Sequence, residues 1–341
     1  MLIINCLGCV DSGARIVAKR LAETYLADET AIFFVANHRN DFPLNRANLR
    51  IYVLKHSLWG RYLRPLYELL INLTLLFRFS RLHINLSHYG LCWFGKHRVY
   101  VHSPEIVSDN PQKGFSDGKI NWFKTYCFKT CLTRAEKIFV QTQHMEQQVN
   151  KFYQANGLKS KCCLLIRPQI RPPENLYRKK KFDFQFFYPV SDFAHKRAEL
   201  AEESALQLNK MASKVGLVIT TTGTDEPGLA KVGKLPYNQA MSYLCSSDAL
   251  LFTSSQETLG LPLLEALHYE LPAVVPDLDY AHEIFGDAAV YFSGDSPRDV
   301  STAMIELIEQ YETYKIRAVK RKTFMNSTSI SWQDHWHVFL E

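Results

Sequence analysis

The chain of 341 residues has no apolar run that approaches the roughly 20 residues needed to cross a bilayer. Its opening, Met1-Leu-Ile-Ile-Asn-Cys-Leu7, lacks the basic segment of a secretory signal and reads as a first buried strand. These two absences predict a cytoplasmic protein, or one held peripherally on the inner face of the plasma membrane. There is no Gly-Xaa-Gly-Xaa-Xaa-Gly fingerprint, so no dinucleotide cofactor is inferred. Cys6 and Cys9 form a Cys-Xaa-Xaa-Cys, but no second pair follows at metal-ligand spacing. All eight cysteines are expected as reduced thiols that pack like small apolar residues. Internal repeats, low-complexity tracts and a basic aromatic nucleic-acid motif are also missing.

What is present is an ordinary globular composition, 47% apolar and 22% charged, long enough for two domains. The charge is unevenly spread. Residues 1–170 hold 23 Lys and Arg against 11 Asp and Glu, a balance of +12, whereas residues 171–341 hold 17 against 23, a balance of −6. A basic first half implies an anionic partner there, unless the charge is simply a solvated surface.

Short apolar runs alternate with amphipathic stretches, the signature of doubly wound βαβ domains. Strands are predicted near 2–7, 31–36, 51–54, 98–102 and 137–141, with helices near 13–27, 120–134 and 143–156. Arg167-Pro-Gln-Ile-Arg-Pro-Pro-Glu-Asn-Leu-Tyr-Arg-Lys-Lys-Lys181 reads as a proline-rich, basic break. A new strand series then begins at Phe182 and continues near 215–221, 249–253, 272–275 and 289–292. The predicted division is an N-terminal domain 1–170, a linker 171–181, a C-terminal domain 182–315 and a terminal segment 316–341. Residues 58–94 interleave Trp, Tyr, Leu and Arg with one acid, Glu68. This reads either as an interfacial helix on an anionic membrane or as a large buried helix, with the basic first half favouring membrane contact.

The most informative segment is Glu257-Thr-Leu-Gly-Leu-Pro-Leu-Leu-Glu265. It follows the apolar run Ala249-Leu-Leu-Phe-Thr-Ser-Ser255 and precedes Leu271-Pro-Ala-Val-Val-Pro276, so it is the turn and helix of a βα unit. Helix N-termini offer unpaired amides and a positive dipole end to a phosphate, and carboxylates accept hydrogen bonds from sugar hydroxyls. Ligands of open parallel sheets bind at the carboxyl ends of strands. The plain alternative is that acids favour first turns of helices. Lys196, after the first strand of the second half, is placed to neutralise a diphosphate. Gly13 sits at a strand-to-helix turn where backbone can approach a phosphate. His102 closes the strand in Arg98-Val-Tyr-Val-His-Ser-Pro104, with Glu105 a weaker candidate nearby. Asp277-Leu-Asp279, after the strand that follows Glu265, is an Asp-Xaa-Asp of the kind that can hold a divalent metal beneath a diphosphate.

Ser254 to Phe292 resembles the donor-binding segment of glycosyltransferase family 4, retaining enzymes of GT-B fold (the glycosyl transferases group 1 type). The matching features are Glu257, Leu259-Gly260-Leu261-Pro262, Glu265, Glu270-Leu-Pro-Ala-Val-Val275, Asp277 and Glu283-Ile-Phe-Gly-Asp-Ala-Ala289. Leu259 stands where Phe is usual and Glu270 where Gly is usual. Tyr188-Pro-Val-Ser-Asp-Phe-Ala-His-Lys-Arg197 is similar to a Tyr-Pro…His-Lys-Asn form of the family, with Arg197 for Asn and Ser191 where the more common form has Arg. Ile330-Ser-Trp resembles the start of the last family helix, which crosses back to the first domain.

The resemblance implies an α/β protein of two Rossmann-like domains facing across a cleft. It further implies a metal-independent retaining hexosyltransferase that takes a nucleotide-diphosphate sugar and serves bacterial surface polysaccharide synthesis, lipopolysaccharide or capsule. The acceptor is a glycan or a polyprenyl-diphosphate-linked sugar. Glu257, Lys196 and His102 become the expected catalytic residues. Gly13, Arg197, Thr258, Leu259, Gly260, Leu261 and Glu265 become the expected donor-binding ones. A hydrolase or epimerase of sugar nucleotides, or a non-catalytic scaffold of the same fold, are the alternatives.

Overall fold

A computed structural model of the chain describes residues 1–9, 12–36, 42–43, 45–54, 58–77, 82–86, 90, 92–102, 118–170, 172–173, 176–177 and 179–341. The chain forms two compact units: Met1–Pro168 together with Ser329–Glu341, and Gln169–Thr328.

The first unit is built on seven strands: β1 (Leu2–Cys6), β2 (Ala31–Ala36), β3 (Leu49–Leu54), β4 (Leu82–Asn85), β5 (His97–Val101), β6 (Lys137–Val140) and β7 (Cys163–Leu165). They form one parallel sheet in the order β3-β2-β1-β4-β5-β6-β7. All five residues of β1 are buried, which is why this strand reads as an apolar run broken only by Asn5 rather than an alternating one. Helices α1 (Ser12–Thr24), α2 (Leu58–Leu76), α3 (Gly118–Arg134) and α4 (Gln143–Ala155) are the crossovers. Helix α4 starts where the Thr142 hydroxyl accepts from the Met145 amide at 3.2 Å, an N-cap that satisfies one orphan donor. Residues 58–76, for which the sequence left two readings, form α2.

Sequence reasoning did not mark the three-residue β7 of this unit, nor β4. The four residues of β4, Leu-His-Ile-Asn, are all buried, yet two are polar. They are accommodated by pairing: His83 Nε2 lies 3.2 Å from Thr74 Oγ1, and the His83 and His97 rings meet edge to face at 5.1 Å.

The last residues complete this unit. Ser331 caps the helix Trp332–Leu340 by accepting from the Asp334 amide at 3.1 Å. Trp336 donates from Nε1 to the Leu21 carbonyl at 3.0 Å and stands edge-on to Tyr25 at 4.8 Å. Phe339 is fully buried beside it.

The second unit repeats the scheme with β8 (Phe184–Tyr188), β9 (Val215–Ile219), β10 (Leu229–Lys231), β11 (Ala249–Leu251), β12 (Ala273–Pro276) and β13 (Ala289–Phe292). The order is β10-β9-β8-β11-β12-β13, again all parallel. Helices α5 (Ala198–Met211), α6 (Tyr237–Ser246), α7 (Leu261–His268), α8 (Asp279–Phe285), α9 (Pro297–Glu309) and α10 (Tyr311–Ser327) cover it. Residues 316–328, grouped with the terminal segment in the sequence reading, belong to this unit: Ala318 and Met325 on α10 are in its core.

Candidate functional site

In the second sheet the chain winds one way from β8 through β9 to β10 and the other way from β11 to β13, so the order reverses between β8 and β11. A crevice outside the carboxyl ends of the strands at such a reversal is where open α/β sheets bind ligands. The loops that leave these two strands carry Lys196 and Glu257.

The two loops are stitched together. Tyr188 Oη donates to the Lys196 carbonyl at 2.6 Å, and Thr253 Oγ1 lies 2.9 and 3.0 Å from the carbonyls of Lys196 and Arg197. The Ser255 amide donates to the His195 carbonyl at 2.8 Å. With its backbone fixed, Lys196 directs its ammonium at Glu257 Oε1, forming a mostly buried ion pair, and passes over the Phe252 ring with Nζ 5.5 Å from the centroid. The pair sets a cation and an anion side by side where water is largely excluded. Each charge partly offsets the other's field, so a charged ligand group has to compete with the partner for it.

Arg197 follows in the left-handed region, φ 50°. Its Nε donates to the Thr253 carbonyl at 2.6 Å and its Nη1 pairs with Asp295. The guanidinium is thus partly committed to holding the loop of Glu257. At Ser191, where the resemblance would place a further cation, the backbone carbonyl accepts from the Phe193 amide at 2.7 Å as the turn tightens.

Helix α7 begins at Gly260, which has φ 64° and ψ 71°. A side chain there would be strained twice over: the backbone is left-handed, and a Cβ would lie 2.9 Å from Leu263 Cδ1. Pro262, in the first turn, has no amide to leave unsatisfied. No side chain caps the helix. Its positive end at Gly260 and Leu261 follows directly on Glu257, with Thr258 and Leu259 buried behind it. One turn further on, Glu265 is buried and accepts from Tyr237 Oη at 2.9 Å. Burial pushes its carboxyl up to about 7, with the tyrosine hydroxyl pulling in the opposite direction.

Gly13 and His102 lie in the first unit. Gly13 is in the first turn of α1, which follows β1, and His102 follows β5. His102 Nε2 is 2.6 Å from the Leu86 carbonyl oxygen, so that nitrogen carries a proton, and 3.7 Å from Cys9 Sγ. Burial lowers its basicity, but the Cys9 thiol and the Leu86 carbonyl more than offset this and hold its pKa above the ordinary value. Cys9 and Leu86 follow β1 and β4, the strands between which the first sheet reverses. Glu105 lies outside the described residues.

Asp277 accepts from His282 Nε2 at 2.6 Å, which lowers its pKa, and Asp279 opens α8. Among the described residues no three His, Cys, Asp or Glu side chains come together as a metal site. Sequence reasoning missed Tyr188, Thr253, Tyr237 and Asp295. Tyr188 and Thr253 lay inside stretches already singled out; Tyr237 and Asp295 are 28 and 98 positions from the groups they hold.

Two classes of comparison bear on this geometry. Residues 229–322, which contain Glu257, Gly260 and Glu265, match the family described as glycosyl transferases group 1. The fold is that of GT-B glycosyltransferases. Among particular proteins, the serotype-specific mannosyltransferase WbdA of Escherichia coli is 42% identical over 66 residues, 19% of this chain and 8% of WbdA. The chain therefore matches less than a tenth of the length of that curated relative. WaaG, a glycosyltransferase involved in lipopolysaccharide biosynthesis, superposes with a TM-score of 0.71 at 14% identity, covering 96% of this chain and 95% of WaaG. Anabaena Alr3699/HepE, solved in complex with UDP and glucose, gives 0.70 at 12% identity over 99% and 98% of the two chains. Sucrose-phosphate synthase of Thermosynechococcus elongatus gives 0.72 at 12% identity over 99% of each. At such identities these likenesses establish the fold.

Proposed function

We propose that the protein is a retaining, metal-independent hexosyltransferase that moves a sugar from a nucleotide-diphosphate sugar to a glycan or lipid-linked acceptor in bacterial surface polysaccharide synthesis. The observation that carries this reading is the buried Lys196–Glu257 pair beside the left-handed Gly260 at the start of α7, with Glu265 one turn further on. The match of residues 229–322 and the UDP and glucose bound by HepE support it.

In this reading the donor diphosphate lies at the start of α7, where the helix dipole and the Lys196 ammonium meet the charge that grows as the glycosidic bond breaks. Lys196 then shares its charge between Glu257 and phosphate. Glu257, freed in part, accepts from sugar hydroxyls. Glu265 accepts from the ribose diol, and those hydrogen bonds replace the solvation its burial removed. Attack on the donor's front face, with the departing phosphate taking the acceptor proton, retains configuration without a protein nucleophile. His102, whose Nε2 is engaged by the Leu86 carbonyl, is assigned to the acceptor side of the reaction.

The test is a binding titration of UDP-, GDP- and dTDP-sugars with wild type and Glu265→Ala, followed by turnover with and without acceptor. Saturable binding of one nucleotide class, weakened in the variant, and transfer only with acceptor is the expected result. Turnover without acceptor identifies a hydrolase or epimerase. Failure of the folded protein to bind any of the three sinks the transferase reading and leaves a scaffold. The anomeric configuration of the product, read by NMR, decides retention.

A further inference from the structure

Cys92 and Cys131 are both buried and reduced, yet the groups against their sulfurs are polar. The two Sγ atoms lie 2.8 Å apart. Asn85 Nδ2 donates to both, at 3.4 Å to Cys131 and 3.7 Å to Cys92, and Cys131 Sγ is 2.6 Å from the Gly90 carbonyl oxygen. This approach requires glycine at position 90, because a Cβ there would lie 1.9 Å from Asn85 Nδ2. His97, 1% exposed, donates from Nε2 to the Phe94 carbonyl at 2.6 Å. Among the described residues its Nδ1 has no hydrogen-bond partner. With the proton on Nε2, Nδ1 is a basic nitrogen in a dry place, which packing alone does not explain. Burial opposes ionisation of Cys92, but Cys131, His97 and Asn85 outweigh it and bring its pKa down to about 5. Burial and the Cys92 sulfur push Cys131 up. One thiol is thus suited to attack and the other to resolve.

We propose that Cys92 and Cys131 are a peroxide-responsive dithiol, in which a small hydroperoxide oxidises Cys92 and Cys131 closes a disulfide that ties α3 to residues 90–92. Burial selects the oxidant: hydrogen peroxide is little larger than water, whereas a disulfide such as oxidised glutathione is too large to reach either sulfur. Cys92 leaves its proton on His97 Nδ1 and attacks one peroxide oxygen. The O–O bond breaks, the departing oxygen takes the proton from His97, and Cys92 becomes a sulfenic acid. Cys131 Sγ then attacks Cys92 Sγ, the S–O bond breaks, and hydroxide leaves with the Cys131 proton as water. Two thiols have given two electrons to one peroxide. The sulfurs move together by less than about 1 Å to reach disulfide length. The inference goes beyond the transferase reading and stands without it, because no sugar nucleotide enters the test.

The experiment treats the folded full chain with hydrogen peroxide, alkylates the remaining thiols and locates disulfides by peptide mass spectrometry, before and after dithiothreitol. A linkage between Cys92 and Cys131 within one chain is expected, reversed by dithiothreitol and raising the melting temperature by about 5 °C or more. Cys131→Ser should stop at a Cys92 sulfenic acid that dimedone labels, and Cys92→Ser should leave Cys131 unlabelled. Both variants are melted in the reduced state to confirm folding, and the wild-type mapping decides alone if either fails to fold. Both thiols still open to alkylation after peroxide, either sulfur joined to a different cysteine, or dimedone on Cys131 in place of Cys92 overturns the inference.

Discussion

Both sheets reverse their strand order at a comparable place, between β1 and β4 in the first unit and between β8 and β11 in the second, but the two crevices are furnished differently. At the second, an ion pair is held by hydroxyls, and a positive helix end sits next to it. At the first, the described groups are an imidazole, a thiol and a backbone carbonyl, with no carboxylate among those three. The surrounding charge is opposite as well, −6 over residues 171–341 against +12 over residues 1–170. The same topology supplies a location in each case, and side chains decide what is done there. The proposed division follows: electrostatic work on the diphosphate in the second unit, and contact with the acceptor in the first.

The largest test of that division is catalytic. Lys196→Ala should lower kcat by roughly a hundred- to thousandfold, as removal of a group that stabilises transition-state charge does. His102→Asn should cost only about tenfold, the value of one hydrogen bond, because its Nε2 is engaged by the Leu86 carbonyl. Equal losses in steady-state assays would erase the contrast between the two crevices.

The second test is the pH dependence of stability. Glu265 has its pKa raised to about 7 in the fold from the ordinary carboxyl range near 4.5 when unfolded, chiefly by burial. Its stabilising contribution is therefore complete below the unfolded value and is lost as pH rises through about 7. Glu265→Gln keeps an acceptor for Tyr237 and removes the titration. The variant should match wild type near pH 4 and exceed it by roughly 2–3 kcal/mol above pH 7. Parallel denaturation curves across that range would show that Glu265 is not buried as described.

A smaller effect comes from the stitching. Thr253→Val keeps the shape but leaves the Lys196 carbonyl with one partner and deprives Arg197's of its hydroxyl. It should cost about 1–3 kcal/mol of stability and weaken donor binding in calorimetry; an unchanged melting point and affinity would assign the loop's order to other contacts. The smallest effect is at Glu270, which adopts φ 61° where the resemblance has Gly, and whose carboxylate accepts from Lys322 Nζ at 2.9 Å. Glu270→Gly relieves the left-handed backbone at the expense of a half-buried ion pair. A net gain of up to about 1 kcal/mol is expected in thermal melts, and a loss would mean that the ion pair outweighs the backbone term.

Much of the second crevice was legible because backbone geometry forces residue choice there: a left-handed turn wants Gly260, a first helical turn tolerates Pro262, and doubly covered strands are continuous apolar runs. The fold class followed from that alternation of runs. What stayed hidden depended on distance along the chain or on direction. Asp295 is 98 residues from Arg197, and no pattern links them. β4 was invisible because its polar residues are satisfied by tertiary partners; β7 and β10, of three residues each, also went unmarked. The composition of α2 contained both its buried and its exposed face, but which face turns inward is fixed by Asn5 meeting Glu68, 63 positions away.

The return of Ser329–Glu341 to the first unit has a consequence for biosynthesis. Trp336 and Phe339 are core residues of a unit whose first strand is Leu2–Cys6. During translation the segment Gln169–Thr328 emerges whole and has all its own strands before residue 339 leaves the ribosome. The unit that begins first is therefore closed last, and until then the pocket lined by Leu21, Tyr25 and Phe33 stands open to chaperones.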